Sequence, residues 1–131
     1  MRAQVRGETR VLKLAQTVLD ELVSHARREA PLEACGYLGE KDGLVALAIP
    51  MRNVDASAEH FSLDPAEQFA AVRRLRGEGL KLRAVYHSHP ASPARPSAED
   101  LRLSHDPALS YVIVSLLGAA PTVKSFRVQQ G

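Results

Sequence analysis

The sequence predicts an α/β fold of the α+β type: a single domain over residues 1–131, in which one mixed β-sheet is flanked by helices. Two observations carry that prediction. Segments with helical spacing and short apolar segments interleave along the chain without a fixed repeat. The 131 residues, 45% hydrophobic and 24% charged, have the balance of an ordered globular chain and suffice for one buried core but not two.

Each element has its own signal. From Ala15 to Glu29 the apolar residues Val18, Leu19, Leu22, Val23 and Ala26 recur at helical spacing, with Gln16, Asp20, Glu21, Arg27 and Arg28 on the other side, the pattern of an amphipathic helix. Pro31 ends it. Two apolar strands follow, Ala34–Leu38 and Leu44–Ile49, joined through Gly39-Glu40-Lys41-Asp42-Gly43, with Asp-Gly as the hairpin signal. Asn53–Glu59 reads as a polar loop and His60–Leu63 as a short strand. Asp64-Pro65-Ala66-Glu67 starts a second helix, with Asp as cap, Pro in the first turn and Glu67 reaching back. Phe69, Val72 and Leu75 continue it on one face as far as Gly77 and Gly79. Lys81–His87 is a strand feeding a loop stiffened by the prolines between Pro90 and Pro96. Ser97-Ala98-Glu99-Asp100 opens a short helix limited by Pro107, and Tyr111–Leu117 and Val123–Val128 are the last two strands.

Composition excludes several function classes. Lys and Arg exceed Asp and Glu by only 17 to 15, and there are three Tyr, three Phe and no Trp; a nearly even charge and few aromatic residues argue against a nucleic-acid partner. Cys35 is the only cysteine, so neither an intrachain disulfide nor a Cys-rich zinc site can form, and a reducing cytoplasm is the expected compartment. The opening stretch has no apolar signal segment, and the longest apolar run, Tyr111–Ala120, is far shorter than a membrane span.

The chemistry concentrates in His87-Ser88-His89-Pro90 and, six residues on, Ser97-Ala98-Glu99-Asp100. Residues two apart on a strand project from one face, so His87 and His89 can address one ion. Asp100, in the first turn of the following helix, can supply a third ligand, leaving the fourth position of a zinc site for water. Alone, the two histidines are equally compatible with a hydrogen-bonded pair, and Ser97 with Asp100 is also a helix-capping arrangement. Of the other histidines, His25, His60 and His105 read as surface or capping residues, and Cys35 as a buried, inert thiol.

The ungapped pattern His-Ser-His-Pro-x6-Ser-x-x-Asp resembles the signature of the JAMM/MPN+ zinc metallopeptidases. The resemblance extends over roughly Ala15–Val128, through Pro31-Leu32-Glu33-Ala34-Cys35-Gly36-Tyr37-Leu38 and Phe61-Ser62-Leu63-Asp64-Pro65-Ala66-Glu67-Gln68. It implies a curved mixed sheet with flanking helices, the MPN/JAMM fold, which is similar to that of cytidine deaminases. It further implies one Zn2+ per chain held by His87, His89, Asp100 and a water, Glu33 as general base, and Ser97 as hydrogen-bond donor to the oxyanion. The residues by themselves do not single out Glu33, which otherwise reads as a surface acid before a strand.

The compact chain resembles the bacterial branch that acts on ubiquitin-like sulfur-carrier proteins, cleaving after a C-terminal Gly-Gly to release cysteine or a similar residue. An extended Gly-rich tail could then add as a strand along a sheet edge beside the zinc. The same signature also fits a general isopeptidase that removes ubiquitin-like modifiers from lysine. Non-catalytic scaffold relatives lose a ligand or the glutamate, whereas all five positions match here.

Overall fold

The computed structural model describes residues 2–5 and 12–128. Its elements, in chain order, are β1 (Arg2–Val5), β2 (Leu12–Ala15), α1 (Gln16–Glu29), β3 (Cys35–Lys41), β4 (Leu44–Met51), α2 (Pro65–Gly77), β5 (Lys81–His89), α3 (Ala98–Leu103), β6 (Ser110–Ser115) and β7 (Thr122–Phe126). They form one mixed sheet in the order β1-β2-β4-β3-β5-β6-β7. The β2–β4 and β5–β6 pairs are parallel and the others antiparallel. The sheet curls until β1 and β7 approach within 8 Å between Cα atoms.

Alternation along the central strands divides the core. Leu38, Ala84, Tyr86, Val112 and Val114 face α1, where Val18, Leu22 and Ala26 close over them. Tyr37, Val85 and Tyr111 face the other way, against Ala71 and Leu75 of α2. His87 and His89 continue the parity of Val85 and therefore emerge on the α2 side.

The expected hairpin forms, but its joint is shorter than the sequence indicates. Strand pairing runs through Lys41↔Leu44, leaving Asp42 (φ 54°) and Gly43 (φ 81°) as a two-residue turn; two successive positive φ values are what a type I′ hairpin requires. Among the described residues the far edge of β4 pairs with β2 at Leu14↔Val45, away from Pro50, so the missing N–H of Pro50 breaks no described pair there.

Asp64 caps α2 by accepting from the Glu67 N–H at 3.1 Å, as expected. Glu67 itself reaches the Arg52 N–H (3.1 Å) rather than back to the cap. Phe69 is 66% exposed, with Arg73 over its ring. Steps of three residues rotate backwards around a helix by about 60°, so a stripe drawn through 69, 72 and 75 cannot stay buried, and Ala71 with Leu75 take the core positions. The expected strand His60–Leu63 is absent. Those residues form a loop held by the Asn53 side chain, whose Oδ1 accepts from Ser62 N–H.

Gly36 shows how tightly β3, β4 and β5 pack. A Cβ there would meet the Ile49 carbonyl oxygen and lie 2.6 Å from Cε1 of Tyr86. Gly36→Ala is expected to cost about 3 kcal/mol of folding free energy, read as a lowered midpoint in urea unfolding. A change under about 0.5 kcal/mol would show that the strands can separate without loss.

Candidate metal centre

β5 delivers His87 and His89 to one point, and α3 brings a carboxylate to meet them. His87 Nε2 and His89 Nε2 are 3.1 Å apart, and Asp100 Oδ2 lies 3.2 Å from the first and 3.0 Å from the second. All three residues are buried. Nδ1 of His89 faces the Pro93 carbonyl at 2.8 Å. With its proton donated there, the Nε2 lone pair points inward.

Three acceptor-bearing atoms converging in a buried site call for a shared proton or a cation. Their triangle, with edges of 3.0, 3.1 and 3.2 Å, is slightly smaller than the face of about 3.3–3.4 Å expected for tetrahedral zinc with ligands at about 2.0–2.1 Å. The donor set therefore fits zinc with only a small outward adjustment, and these are the only three such residues grouped this closely among the described ones.

Asp100 reconciles the two sequence readings. Ser97 Oγ accepts from the Asp100 N–H at 3.0 Å, and Asp100 Oδ2 accepts from the Ser97 N–H at 2.9 Å. The capping box is real, and it aims the carboxylate at the histidines. Burial opposes charge on Asp100, but hydrogen bonds with His87 and His89 outweigh it and hold the carboxyl well below its usual range. Burial lowers the pKa of His87 and so favours the neutral ligand form. On His89 burial acts in the same sense, but Asp100 and the Pro93 carbonyl raise the pKa overall.

Glu33 sits in the turn before β3, 3% exposed, and its Oε1 has no hydrogen-bond partner. Burial pushes its carboxyl up to about 7, a rise that nearby His89 moderates. Glu33, His89 and Ser97 share the wall of a cavity of about 510 Å3. His87 and Asp100 border a second cavity of about 390 Å3, whose apolar wall includes Tyr37, Phe61, Leu63, Val85 and Tyr111. His87, His89 and Asp100 thus converge on one point, Ser97 is bonded to Asp100, and Glu33 shares a cavity wall with His89 and Ser97.

Three supporting residues were not singled out for what they do here. Phe61 stacks on the His87 ring, with centroids 4.7 Å apart. Ser88 Oγ accepts from the Ala34 N–H at 2.7 Å and its own N–H donates to the Ala34 carbonyl, fastening the segment after Glu33 to the ligand strand. Asn53 Nδ2 donates to the Glu33 carbonyl at 3.2 Å. The sequence signal for Asn53 was only its place at the head of a polar loop.

Of the other expectations, some change and some hold. His25 is buried rather than at the surface, with its Nδ1 2.8 Å from the Tyr86 hydroxyl. His60 pairs with Asp55 at 2.9 Å. Cys35 is fully buried, and burial pushes its thiol up to about 12, so it is no nucleophile. The ligand strand β5 has β3 on one edge and β6 on the other, which leaves it no open edge for an added strand. No helix among the described residues is long and apolar enough to cross a membrane.

The model of the family described as prokaryotic homologues of the JAB domain matches residues 15–129. The chain belongs to the JAB-domain family. A relative from Mycobacterium tuberculosis named CysO-cysteine peptidase is 33% identical over 129 residues, covering 96% of this chain and 88% of that protein. A desampylase of Haloferax volcanii is 37% identical over 111 residues, 79% of this chain and 80% of its own. Among solved structures, a protein from Desulfitobacterium hafniense superimposes with a TM-score of 0.82 at 48% identity, covering 89% of this chain and 84% of that one. The mixed curved sheet with its three helices is thus the architecture of this JAB-domain chain.

Proposed function

We propose that this protein hydrolyses the amide bond after the C-terminal Gly-Gly of a ubiquitin-like sulfur-carrier protein, releasing cysteine or a similar residue. The observation that carries the reading is the buried carboxylate of Glu33, whose Oε1 has no hydrogen-bond partner, on the same cavity wall as His89 and Ser97, beside the His87, His89 and Asp100 cluster. Zinc held by those three residues would polarise the scissile carbonyl and make water acidic enough to attack at neutral pH.

The chain's own groups supply the rest. Glu33 accepts the proton of the attacking water at its carboxylate and passes it to the leaving amine. Its burial keeps it a stronger base than an exposed glutamate. Ser97 Oγ already accepts from the Asp100 N–H, so its hydroxyl proton remains available to the developing oxyanion. Ser97→Ala is expected to lower kcat by about 10- to 100-fold with little change in KM, measured by steady-state kinetics. It should also cost about 1 kcal/mol through the lost cap. An unchanged kcat would remove Ser97 from the oxyanion site.

The relative named as a CysO-cysteine peptidase supports release of a C-terminal cysteine, and the relative named as a desampylase supports a second reading, cleavage of lysine-linked conjugates. The two are separated by incubating the zinc-loaded protein with a sulfur carrier extended by cysteine after Gly-Gly and, in parallel, with the same carrier joined to a lysine side chain. Faster loss of cysteine supports the first reading. Cleavage of the lysine conjugate alone supports the second, and cleavage of neither overturns both.

A further inference from the structure

Oε1 of the Glu33 carboxylate has no hydrogen-bond partner, so the backbone of Glu33 helps decide where the carboxylate sits. That backbone is held from two sides. On one side is Ser88, which bonds both main-chain polar groups of Ala34. On the other is the loop that follows β4, where the Ser57 carbonyl accepts from the Glu33 N–H at 2.8 Å and Asn53 Nδ2 donates to the Glu33 carbonyl at 3.2 Å.

Asn53 also gives this loop its shape. Its Nδ2 donates to the His60 carbonyl at 3.0 Å, and its Oδ1 accepts from Asp55 N–H at 3.0 Å and Ser62 N–H at 3.2 Å. One amide side chain therefore connects the turn that carries Glu33, the stretch that supplies the Ser57 carbonyl, and the approach to Phe61, which stacks on His87. The loop has no strand pairing of its own, so this side chain replaces the ladder that would otherwise fix it.

From this arrangement we infer that Asn53 is a positioning residue: its side-chain amide holds the loop that fixes Glu33 against the metal cluster. The inference rests on the reading of Glu33 as general base. Asn53 touches neither the cluster nor any reacting atom; it acts through the backbone of Glu33. A displacement of about 1 Å in a catalytic group can cost about 100-fold in rate.

The test uses Asn53→Asp, which keeps the acceptor toward Asp55 and Ser62 but sets an oxygen against the Glu33 and His60 carbonyls, together with Asn53→Ala. Amide hydrogen exchange is followed residue by residue, and zinc affinity is measured by chelator competition with the metal alone. In both variants the Glu33 amide is expected to exchange about tenfold faster or more, while core amides such as Leu38 and Val112 stay protected and zinc affinity is unchanged. On a cleavable carrier, kcat is expected to fall about 10- to 100-fold with KM within about twofold.

Unchanged Glu33 exchange in Asn53→Asp overturns the inference, as does a kcat loss that follows a loss of zinc affinity. If Asn53→Ala does not fold, Asn53→Asp alone decides. Should the wild-type protein cleave no carrier, the functional reading fails separately, and the exchange measurement still decides whether Asn53 holds Glu33.

Discussion

Glu33→Gln is expected to reduce hydrolysis by about 100- to 10,000-fold, the range for loss of a general base, while leaving zinc binding intact. Gln has nearly the same shape but cannot take up the proton of the attacking water. The same change should make the metal-free protein more stable at neutral pH. The Glu33 carboxyl titrates at about 7 in the fold against 4.5 ordinarily, mainly because it is buried. A raised acid pKa means that the folded state binds more protons, so the carboxylate's destabilising effect sets in as pH rises from 4.5 towards 7 and is complete above it. Replacing it should recover about 1–3 kcal/mol at pH 8 and almost nothing at pH 4, read from urea unfolding at the two values. Equal effects at both would mean that Glu33 is not held in a desolvating site. The rate should fall on acidification as Glu33 takes up a proton. A bound cation draws that limb to or below about 7.

Asp100→Asn is expected to lower activity by about 1,000-fold or more and to abolish stoichiometric zinc binding. An asparagine can preserve the Ser97–Asp100 cap geometry, because its Oδ1 still accepts from the Ser97 N–H, but it removes the negative charge facing the two Nε2 atoms. Stability of the metal-free protein should fall moderately at neutral pH, because the carboxylate that His87 and His89 hold charged is lost, while metal content falls to nothing. Metal analysis of the purified variant beside a thermal melt separates these effects. Retained zinc with retained activity would show that the cluster does not need its carboxylate. Alternatively, a collapsed melt would show that Asp100 serves the fold more than the site.

The elements most legible in the sequence are those with local signals. The apolar stripe of α1, the Asp64-Pro65 start of α2, the Asp42-Gly43 turn and the Ser97 cap each involve residues within a few positions of one another. β1 and β2 carry no readable signal because four residues give too short a pattern, and β2 belongs to the sheet through a distant partner, Val45. The burial of His25 is not legible locally either, since its partner Tyr86 lies 61 residues away. At the site, the period of a strand makes the pairing of His87 with His89 readable. The approach of Asp100 follows from the capping box and the loop, pinned where Ser115 Oγ donates to the Ser92 carbonyl at 2.6 Å. Nothing local marks Glu33, whose character comes from burial beneath a loop that Asn53 holds from twenty positions on. That assignment needed the family resemblance, which the match over residues 15–129 bears out at the level of family.

The central claim is that Glu33 and the cluster of His87, His89 and Asp100 together split an amide bond. Its most direct test is mass spectrometry of a sulfur-carrier protein extended by cysteine after Gly-Gly, incubated with wild-type protein and with Glu33→Gln, each first shown to hold one zinc per chain. The account predicts loss of a single cysteine with the wild type and an intact carrier with the variant. Cleavage at equal rates by both would contradict it.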